Sequence, residues 1–125
     1  MANQFKILIV EDDQFLLTMY QTRFEQEGFK VFVAEDGEKG LKTAQKEIPD
    51  FILLDILLPK MNGFEVLKEL KADKKTKDIK VLLLTNLSQR GEVDEGLKYG
   101  AVDYLIKAHF MPTEVVNKVK KLLAA

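Results

Sequence analysis

Phe51-Ile-Leu-Leu-Asp55 is the stretch that decides the fold, because four consecutive apolar residues end in a single carboxylate. An apolar run without polar alternation is typical of a strand that is covered on both faces, as in parallel sheets. Four other short runs share this character: Phe5–Val10, Val31–Ala34, Val81–Leu84 and Val102–Ile106. We therefore predict five strands, of which the last is the weakest because Asp103 and Tyr104 interrupt it.

Segments with helical spacing separate these runs. The first carries apolar residues on one predicted helix face: Leu16, Met19, Tyr20 and Phe24. Similar signals mark four more segments, at Leu41 and Ala44, at Phe64, Leu67 and Leu70, at Val93 and Leu97, and at Val115, Val119, Leu122 and Leu123. We expect Gly28 and Gly100 to end the first and fourth helices, and Pro112 to lie in the first turn of the fifth. This alternation predicts an α/β fold, an open parallel sheet with helices on both faces, but leaves the strand order open.

The composition is that of one globular domain, and we predict a single domain over residues 1–125 with no effector domain. The chain has no cysteine, which excludes disulfides and thiolate metal sites. It lacks a signal-peptide pattern and any apolar run near the roughly 20 residues that span a bilayer, so we expect no membrane contact and a cytoplasmic location. A net charge of −1 argues against direct nucleic-acid binding. We interpret the lysine-rich stretch Lys71–Lys80 as a solvated helix end and loop.

Polar residues follow four of the predicted strands. The first strand runs into Glu11 and Asp12, the third into Asp55, the fourth into Thr85 and the fifth into Lys107. The carboxyl ends of parallel strands share one edge of the sheet, and open α/β sheets bind ligands at that edge. We therefore expect these five side chains to converge in space.

The expected cluster has the composition of a magnesium-dependent phosphoryl-transfer site. Carboxylates packed together need a proton or a cation between them, and an all-oxygen set selects Mg²⁺ or Ca²⁺. Lys107 would supply a positive charge and Thr85 a hydrogen-bond donor to phosphoryl oxygens. Carboxylates can serve as nucleophiles in phosphoryl transfer, and Asp55 is the candidate because it stands alone between the acidic pair and the lysine.

Four motifs in this order resemble a known family. They are Ile7-Leu-Ile-Val-Glu-Asp-Asp13, Leu54-Asp-Ile-Leu-Leu-Pro-Lys-Met-Asn-Gly63, Leu84-Thr85 and Gly100-Ala-Val-Asp-Tyr-Leu-Ile-Lys107. Over essentially its whole length the chain resembles the response-regulator receiver domains of two-component signalling, including the single-domain chemotaxis type. The resemblance implies a flavodoxin-like fold with strand order 2-1-3-4-5 and a phosphoacceptor switch that is not an enzyme on a separate substrate.

The resemblance also implies roles for individual residues. Asp55 resembles the phosphoacceptor and Lys107 the lysine that pairs with the phosphoryl group. Glu11 and Asp12 resemble the acidic pair that holds Mg²⁺, with Asp12 as the direct ligand beside Asp55. The backbone carbonyl of Leu57 resembles a further ligand of the metal.

The expected output is a change of protein-binding surface. Thr85 and Tyr104 resemble the switch pair, in which the hydroxyl moves toward the phosphoryl group and the aromatic ring follows it inward. The resemblance implies a sensor histidine kinase or a histidine phosphotransfer protein as phosphodonor. It also implies a downstream protein target on the face formed by the fourth helix, the fifth strand and the fifth helix.

Some of the same residues also fit a purely structural role or another function. Asp13 is equally well interpreted as a helix N-cap. A magnesium-dependent phosphatase would also use an aspartate nucleophile, but such enzymes usually place a general acid where this chain has Leu57. A flavin- or nucleotide-binding module would need a Gly-rich phosphate-binding turn after a strand, which the sequence lacks. A degenerate receiver that acts only through protein contacts is disfavoured by the intact acids and lysine.

Three features depart from the family pattern. Ala108 stands where a proline usually follows the lysine in a cis bond, and because a non-proline cis bond costs about 2.5–4 kcal/mol we predict a trans bond between Lys107 and Ala108. Asn86 is larger than the residue usual after the threonine, which predicts narrower access to the phosphoryl group. Leu57 and Leu87 place apolar groups where water would approach, so we hypothesise a long-lived phosphorylated state.

Overall fold

The computed structural model describes residues 4–85, 90–107 and 111–124 and has five strands alternating with five helices. The strands are β1 (Lys6–Val10), β2 (Lys30–Ala34), β3 (Phe51–Asp55), β4 (Lys80–Thr85) and β5 (Asp103–Ile106). The helices are α1 (Gln14–Gln26), α2 (Gly37–Glu47), α3 (Gly63–Ala72), α4 (Arg90–Lys98) and α5 (Pro112–Ala124). All strand pairs are parallel and the order is β2-β1-β3-β4-β5, so both the predicted fold class and the implied strand order are confirmed.

The sheet has a buried centre and more exposed edges. Every residue of β3 is buried, whereas β2 and β5, the two edge strands, are partly exposed. Val10 pairs with Leu54, and Thr85 pairs with Ile106, so the strands end at nearly the same level. The residues that follow them therefore share one edge. We call this edge the carboxyl rim and define it as Glu11, Asp12, Asp55, Thr85 and Lys107.

The hydrophobic core has two layers, one on each face of the sheet. Ile7 and Ile9 of β1 belong to the layer that packs against α1 and α5. Leu8 and Val10 of the same strand belong to the layer that packs against α2 and α3. Side chains of a strand alternate between faces, so a run of consecutive apolar residues fills both layers at once. This is the physical reason that the unbroken apolar runs predicted the strands well.

The predicted helix ends are confirmed. Gly28 and Gly100 follow α1 and α4 in the left-handed region, at φ 91° and 108°, where glycine meets no steric penalty from a Cβ. Pro112 is the first residue of α5. No helix within the three described ranges is both long and apolar enough to cross a membrane.

The predicted buried face of α1 was partly wrong. Leu17 is buried together with Tyr20 and Phe24, whereas Leu16 and Met19 are only half-buried. Apolar residues cover a wide arc of this helix, so their spacing does not decide which line of side chains faces the sheet.

The lysine-rich stretch is also less solvated than its composition indicates. Lys71 Nζ donates to the carbonyl oxygens of Lys77 and Ile79, at 2.9 and 2.8 Å. Lys80 Nζ donates to the carbonyl oxygen of Leu122 near the end of α5, at 2.6 Å. Two of the five lysines in this stretch therefore form hydrogen bonds with backbone carbonyl oxygens.

Candidate functional site

Three carboxylates of the carboxyl rim lie together, as the strand ends predicted. Glu11, Asp12 and Asp55 each offer an oxygen, and these oxygens lie within 4.8 Å of one another. Glu11 and Asp12 follow β1 directly, and Asp55 ends the neighbouring strand β3. The spacing suits a cation held between oxygens of two adjacent strands.

Lys107 follows the edge strand β5, which β4 separates from β3, and its side chain extends to this cluster. Its Nζ lies 2.9 Å from Oδ2 of Asp55 in a hydrogen bond, and 2.5 Å from Oε1 of Glu11 in an ion pair. The side chain of Lys107 is only 6% exposed. Burial alone would lower the pKa of Lys107, but its contacts with Glu11 and Asp55 outweigh burial and raise it.

Glu11 is the most enclosed member of the cluster. Its side chain is 0% exposed, and Oε2 accepts a hydrogen bond from the backbone N–H of Asp13 at 3.0 Å. Burial raises the pKa of Glu11 even though Lys107 and the Asp13 N–H favour its charged form, with the charge of Asp55 adding to the increase. Asp12 is more exposed than Glu11. Its pKa is raised mainly by partial desolvation and secondly by the neighbouring carboxylate of Glu11.

Asp55 has both carboxylate oxygens engaged. Oδ2 accepts from Lys107, and Oδ1 accepts from the backbone N–H of Leu57 at 3.3 Å. The close approach of Gly63 fixes the backbone behind it: a Cβ on Gly63 would lie 2.3 Å from the carbonyl oxygen of Asp55. The carboxylate is therefore oriented by Lys107, which follows β5, and by the N–H of Leu57 in the loop between β3 and α3.

A cavity of about 420 Å³ opens beside the carboxylates. It is lined by Glu11, Asp12, Asp13, Leu16, Asp55, Leu57 and Lys107. Asp13 caps α1, since its Oδ1 accepts from the N–H groups of Phe15 and Leu16 at 3.0 and 3.1 Å. The N-cap interpretation of Asp13 is thus confirmed.

The charges in the cluster fit a divalent cation. Three carboxylates against the single ammonium of Lys107 leave two formal negative charges. A hard cation with oxygen ligands would neutralise this excess.

The two candidate switch residues lie on adjacent strands outside this cavity. Thr85 is buried at the end of β4, whereas the side chain of Tyr104 on β5 is 37% exposed. Tyr104 pairs with Leu83, two residues before Thr85, so the threonine and the tyrosine share one face of the sheet. Neither is among the described residues that line the carboxylate cavity.

Several features named from the sequence lie outside the described residues. They are Asn86, Leu87 and the bond from Lys107 to Ala108. Leu57 is described, and its side chain is 63% exposed at the mouth of the cavity. The trans bond, the narrowed access and the long-lived phosphorylated state therefore stay predictions.

The chain is similar to proteins of one kind. The family model of the response regulator receiver domain matches residues 7–120. The alkaline phosphatase synthesis transcriptional regulatory protein PhoP of Bacillus subtilis is 42% identical over 118 residues, which cover 94% of this chain and 48% of that protein. The chain spans about half the length of the first curated relatives it matches.

Solved structures agree with the sequence relatives. The chemotaxis response regulator CheY4 of Vibrio cholerae has a TM-score of 0.89 and 29% identity, with 95% of this chain and 98% of that chain covered. The receiver domain of sensor histidine kinase PA1611 from Pseudomonas aeruginosa, solved with a magnesium ion coordinated in its active site cleft, has a TM-score of 0.88 and 25% identity. That alignment covers 98% of this chain and 100% of the other.

Proposed function

The chain belongs to the response regulator receiver family, whose members are phosphoacceptor signalling modules and not enzymes, and we propose that its phosphoacceptor is Asp55. One observation carries the proposal: Asp55 lines an open cavity, lies close to two further carboxylates and is 2.9 Å from the ammonium of Lys107. Receiver domains take their phosphoryl group from histidine kinases or histidine phosphotransfer proteins. We propose a phosphohistidine of such a partner as the donor here.

In the proposed transfer, a carboxylate oxygen of Asp55 forms a bond to phosphorus. The bond between phosphorus and the donor imidazole nitrogen breaks, and the electron pair of that bond stays on the imidazole. The N–H of Leu57 and the ammonium of Lys107 hold the two oxygens of the carboxylate in place, so the nucleophile enters the reaction already oriented. No proton has to leave Asp55, because the group reacts as a carboxylate.

Lys107 has a second role in this proposal. Its ammonium lies between Glu11 and Asp55, so it is held on both sides before any phosphoryl group arrives. Negative charge on the phosphoryl oxygens would draw the ammonium toward them, while Glu11 keeps it inside the site. A preorganised positive charge at this point stabilises the charge that develops during transfer.

We propose Mg²⁺ as the cation of the site. Asp12 and Asp55 would be its carboxylate ligands, Glu11 would support them, and the backbone carbonyl of Leu57 would complete the protein ligands. Bound Mg²⁺ would screen the phosphoryl oxygens from these carboxylates and favour the approach of Asp55. The excess negative charge of the cluster supports this assignment, as does the magnesium found in the receiver domain of PA1611.

Thr85 and Tyr104 are proposed to transmit the modification. An aspartyl phosphate adds charge and acceptor oxygens beside β4, and the Thr85 hydroxyl at the end of that strand is a donor that could turn toward them. The partly exposed ring of Tyr104 stands on the same sheet face and has room to pack inward. The phosphoryl group shifts this equilibrium only by its preference for one arrangement.

The proposed output surface lies beside these residues. Leu97 on α4, Val102 before β5 and Tyr104 on β5 are large apolar side chains exposed by 37–41%. Exposed apolar side chains of this kind suit a downstream protein better than a nucleic acid, whose backbone is charged. The expected absence of membrane contact stays a prediction. The identity of that protein and the cytoplasmic location both stay predictions.

The phosphatase alternative is not favoured. Such an enzyme would need a proton donor two residues after the nucleophile, and the side chain of Leu57 at that position cannot donate one. The flavin or nucleotide alternative has no support from the family match either.

The proposal is tested by incubating the protein with Mg²⁺ and acetyl phosphate and measuring its intact mass. We expect the mass of one phosphoryl group to be added to the wild type and none to Asp55→Asn. Asp50→Asn is the matched control, because Asp50 precedes the same strand β3 at its opposite end and accepts from the backbone N–H of Lys6. Phosphorylation of Asp55→Asn, or its loss in Asp50→Asn alone, would contradict the assignment.

A further inference from the structure

We infer that the amino end of α2 holds the loop after Asp55 in a strained conformation, which makes Gly37 a positioning residue for the phosphorylation of Asp55. The inference rests on the proposed function, since it concerns the reactivity of the same carboxylate. Gly37 lies against Pro59 and Met61, neither of which lines the carboxylate cavity, so its effect would act through the backbone of residues 57–62.

The tip of this loop has an unfavourable backbone geometry. Lys60 has φ 69°, a left-handed value that side chains other than glycine and asparagine seldom adopt. The N–H of Met61 donates to the carbonyl oxygen of Pro59 at 2.8 Å, which closes a three-residue turn around Lys60. Three-residue turns with a positive central φ are rare and strained, and they persist only where their surroundings hold them.

Gly37 supplies the surroundings that hold the turn. Its N–H donates to the same carbonyl oxygen of Pro59 at 3.3 Å. A Cβ on Gly37 would lie 1.7 Å from the carbonyl oxygen of Met61 and 2.6 Å from the carbonyl carbon. The start of α2 therefore rests directly on the backbone of the strained turn.

The need for glycine at position 37 comes from this close approach. Gly37 is not among the described glycines with positive φ, so its backbone conformation is open to any residue. Alanine is also favoured over glycine in helices. A harmful effect of alanine here would consequently arise from the contact with Met61 and not from the helix.

The loop between β3 and α3 connects the strained turn with the carboxylate of Asp55. At its base, the N–H of Gly63 donates to the carbonyl oxygen of Ile56 at 2.8 Å, which closes the loop against the end of β3. Leu57 lies between base and tip, donates its N–H to Oδ1 of Asp55 and lines the carboxylate cavity. Leu57 lies in the segment that joins this base to the tip, so a displaced tip would act on Leu57 through the backbone of that segment.

The exposed ion pair at the same place is a weaker contact. Lys60 Nζ lies 3.9 Å from Oδ2 of Asp36, and the side chain of Lys60 is 63% exposed. An exposed pair at this distance contributes little. The backbone contact of Gly37 with the turn is therefore the contact that a substitution should test.

The test compares Gly37→Ala with Gly28→Ala in the intact chain. Gly28 has φ 91° with no atom within 4 Å of its missing Cβ, so alanine there strains the backbone at the opposite end of the sheet. Phosphorylation by acetyl phosphate is timed by intact mass at saturating Mg²⁺. We expect Gly37→Ala to react about tenfold more slowly or worse, since small misplacements of reacting groups carry large rate costs, and Gly28→Ala to stay within about twofold of wild type.

The outcomes separate this inference from the proposed function. A wild-type rate in Gly37→Ala, or an equal slowing in Gly28→Ala, would overturn the positioning role of Gly37 while leaving Asp55 as the acceptor. If the wild type failed to react, or if Asp55→Asn reacted, both the proposed function and the positioning role of Gly37 would be contradicted.

A second measurement needs no substitution. Beryllofluoride with Mg²⁺ imitates the phosphoryl group, and its addition to the wild-type protein can be followed by amide NMR spectra. Because coupling between two sites is reciprocal, we expect the amide resonances of Gly37 and Lys60 to shift while that of Gly28 stays in place. An unchanged Gly37 resonance alongside a shifted Leu57 resonance would overturn the inference, even if Gly37→Ala fails to fold.

Discussion

Lys80 begins β4 and Lys107 follows β5, and the two lysines illustrate how differently the two ends of the sheet use charge. Lys80 Nζ donates to the carbonyl oxygen of Leu122, a backbone group. Lys107 Nζ instead meets the carboxylates of Glu11 and Asp55 at the edge of a cavity. Both side chains are partly or largely buried, so burial alone does not distinguish them. The chemistry of the partner does.

The contrast extends to Lys6 and Asp50, two other charged residues near the strand starts. We call the charged residues near the strand starts the amino rim and define it as Lys6, Lys30, Asp50 and Lys80. Lys6 Nζ donates to the carbonyl oxygen of Glu47 at 3.2 Å, and Asp50 accepts from the N–H of Lys6 at 2.8 Å. Charges that satisfy backbone groups stabilise the fold. Charges that face one another across a cavity can still take up a ligand.

We expect the largest difference between the two rims when one lysine of each rim is replaced by alanine. Lys107→Ala leaves Glu11 buried without its cation, and we expect a loss of about 3 kcal/mol in the free energy of unfolding. Phosphorylation by acetyl phosphate should slow by about a hundredfold, as when one preorganised charge-stabilising group is removed. Urea unfolding and intact-mass kinetics measure the two effects.

Lys80→Ala is the matched substitution at the amino rim. We expect it to cost about 1.5 kcal/mol through the lost hydrogen bond to Leu122, with a phosphorylation rate close to wild type. A strong loss of phosphorylation in Lys80→Ala would show that the division between the rims is mistaken.

Magnesium should distinguish the rims by a smaller amount. At ten times its dissociation constant, a ligand that binds only the folded state adds about 1.4 kcal/mol to the free energy of unfolding. We expect Mg²⁺ to stabilise the wild type and Asp50→Asn in this way, measured by thermal unfolding with and without the ion. Asp12→Asn should lose most of the effect, and an undiminished effect in that variant would rule out Asp12 as a ligand.

The pH dependence of stability should have opposite signs for Glu11 of the carboxyl rim and for Glu27, which lies at the other end of the sheet. Burial raises the pKa of Glu11, so the stability it contributes is fully present below the unfolded pKa near 4.5 and is lost as pH rises through the folded pKa. The hydrogen bond from Lys120 lowers the pKa of Glu27, near the amino rim. The stability contributed by Glu27 is therefore present above 4.5 and is lost as pH falls through its folded pKa.

Urea unfolding from pH 3 to pH 8 in the presence of a chelator checks these signs. Glu11→Gln should remove part of the decline toward neutral pH, where each pH unit of the window changes the free energy of unfolding by at most about 1.4 kcal/mol per proton. Glu27→Gln should instead flatten the decline toward acid. Curves that change in the same direction for both variants would contradict the assigned pKa directions.

Much of the fold could be predicted because its signals are local. The unbroken apolar runs reflect burial on both faces, and Gly28 and Gly100 mark places where the chain must turn left-handed. The convergence of Asp12, Asp55 and Lys107 also followed, since parallel strands align their ends. The strand order came from the resemblance and not from the pattern.

Other features escape sequence reasoning because they depend on distances between elements. The ion pair of Glu11 with Lys107 joins residues that follow β1 and β5, strands that are not neighbours in the sheet, and it requires the length of the lysine side chain. The contact of Gly37 with Met61 is made by backbone atoms, which leave no chemical signature in the side chains. The rotation of α1 that buries Leu17 depends on how the helix packs as a whole.

The placement of Asp55 and Tyr104 has a consequence for amide hydrogen exchange. Asp55 ends β3, whose residues are all buried and which is paired on both sides, so its amides should exchange only when the whole domain opens. Tyr104 belongs to the edge strand β5, where local opening suffices. The proposed acceptor thus sits on the slowest-exchanging part of the molecule, and the proposed reporter sits on a part that can fluctuate without unfolding it.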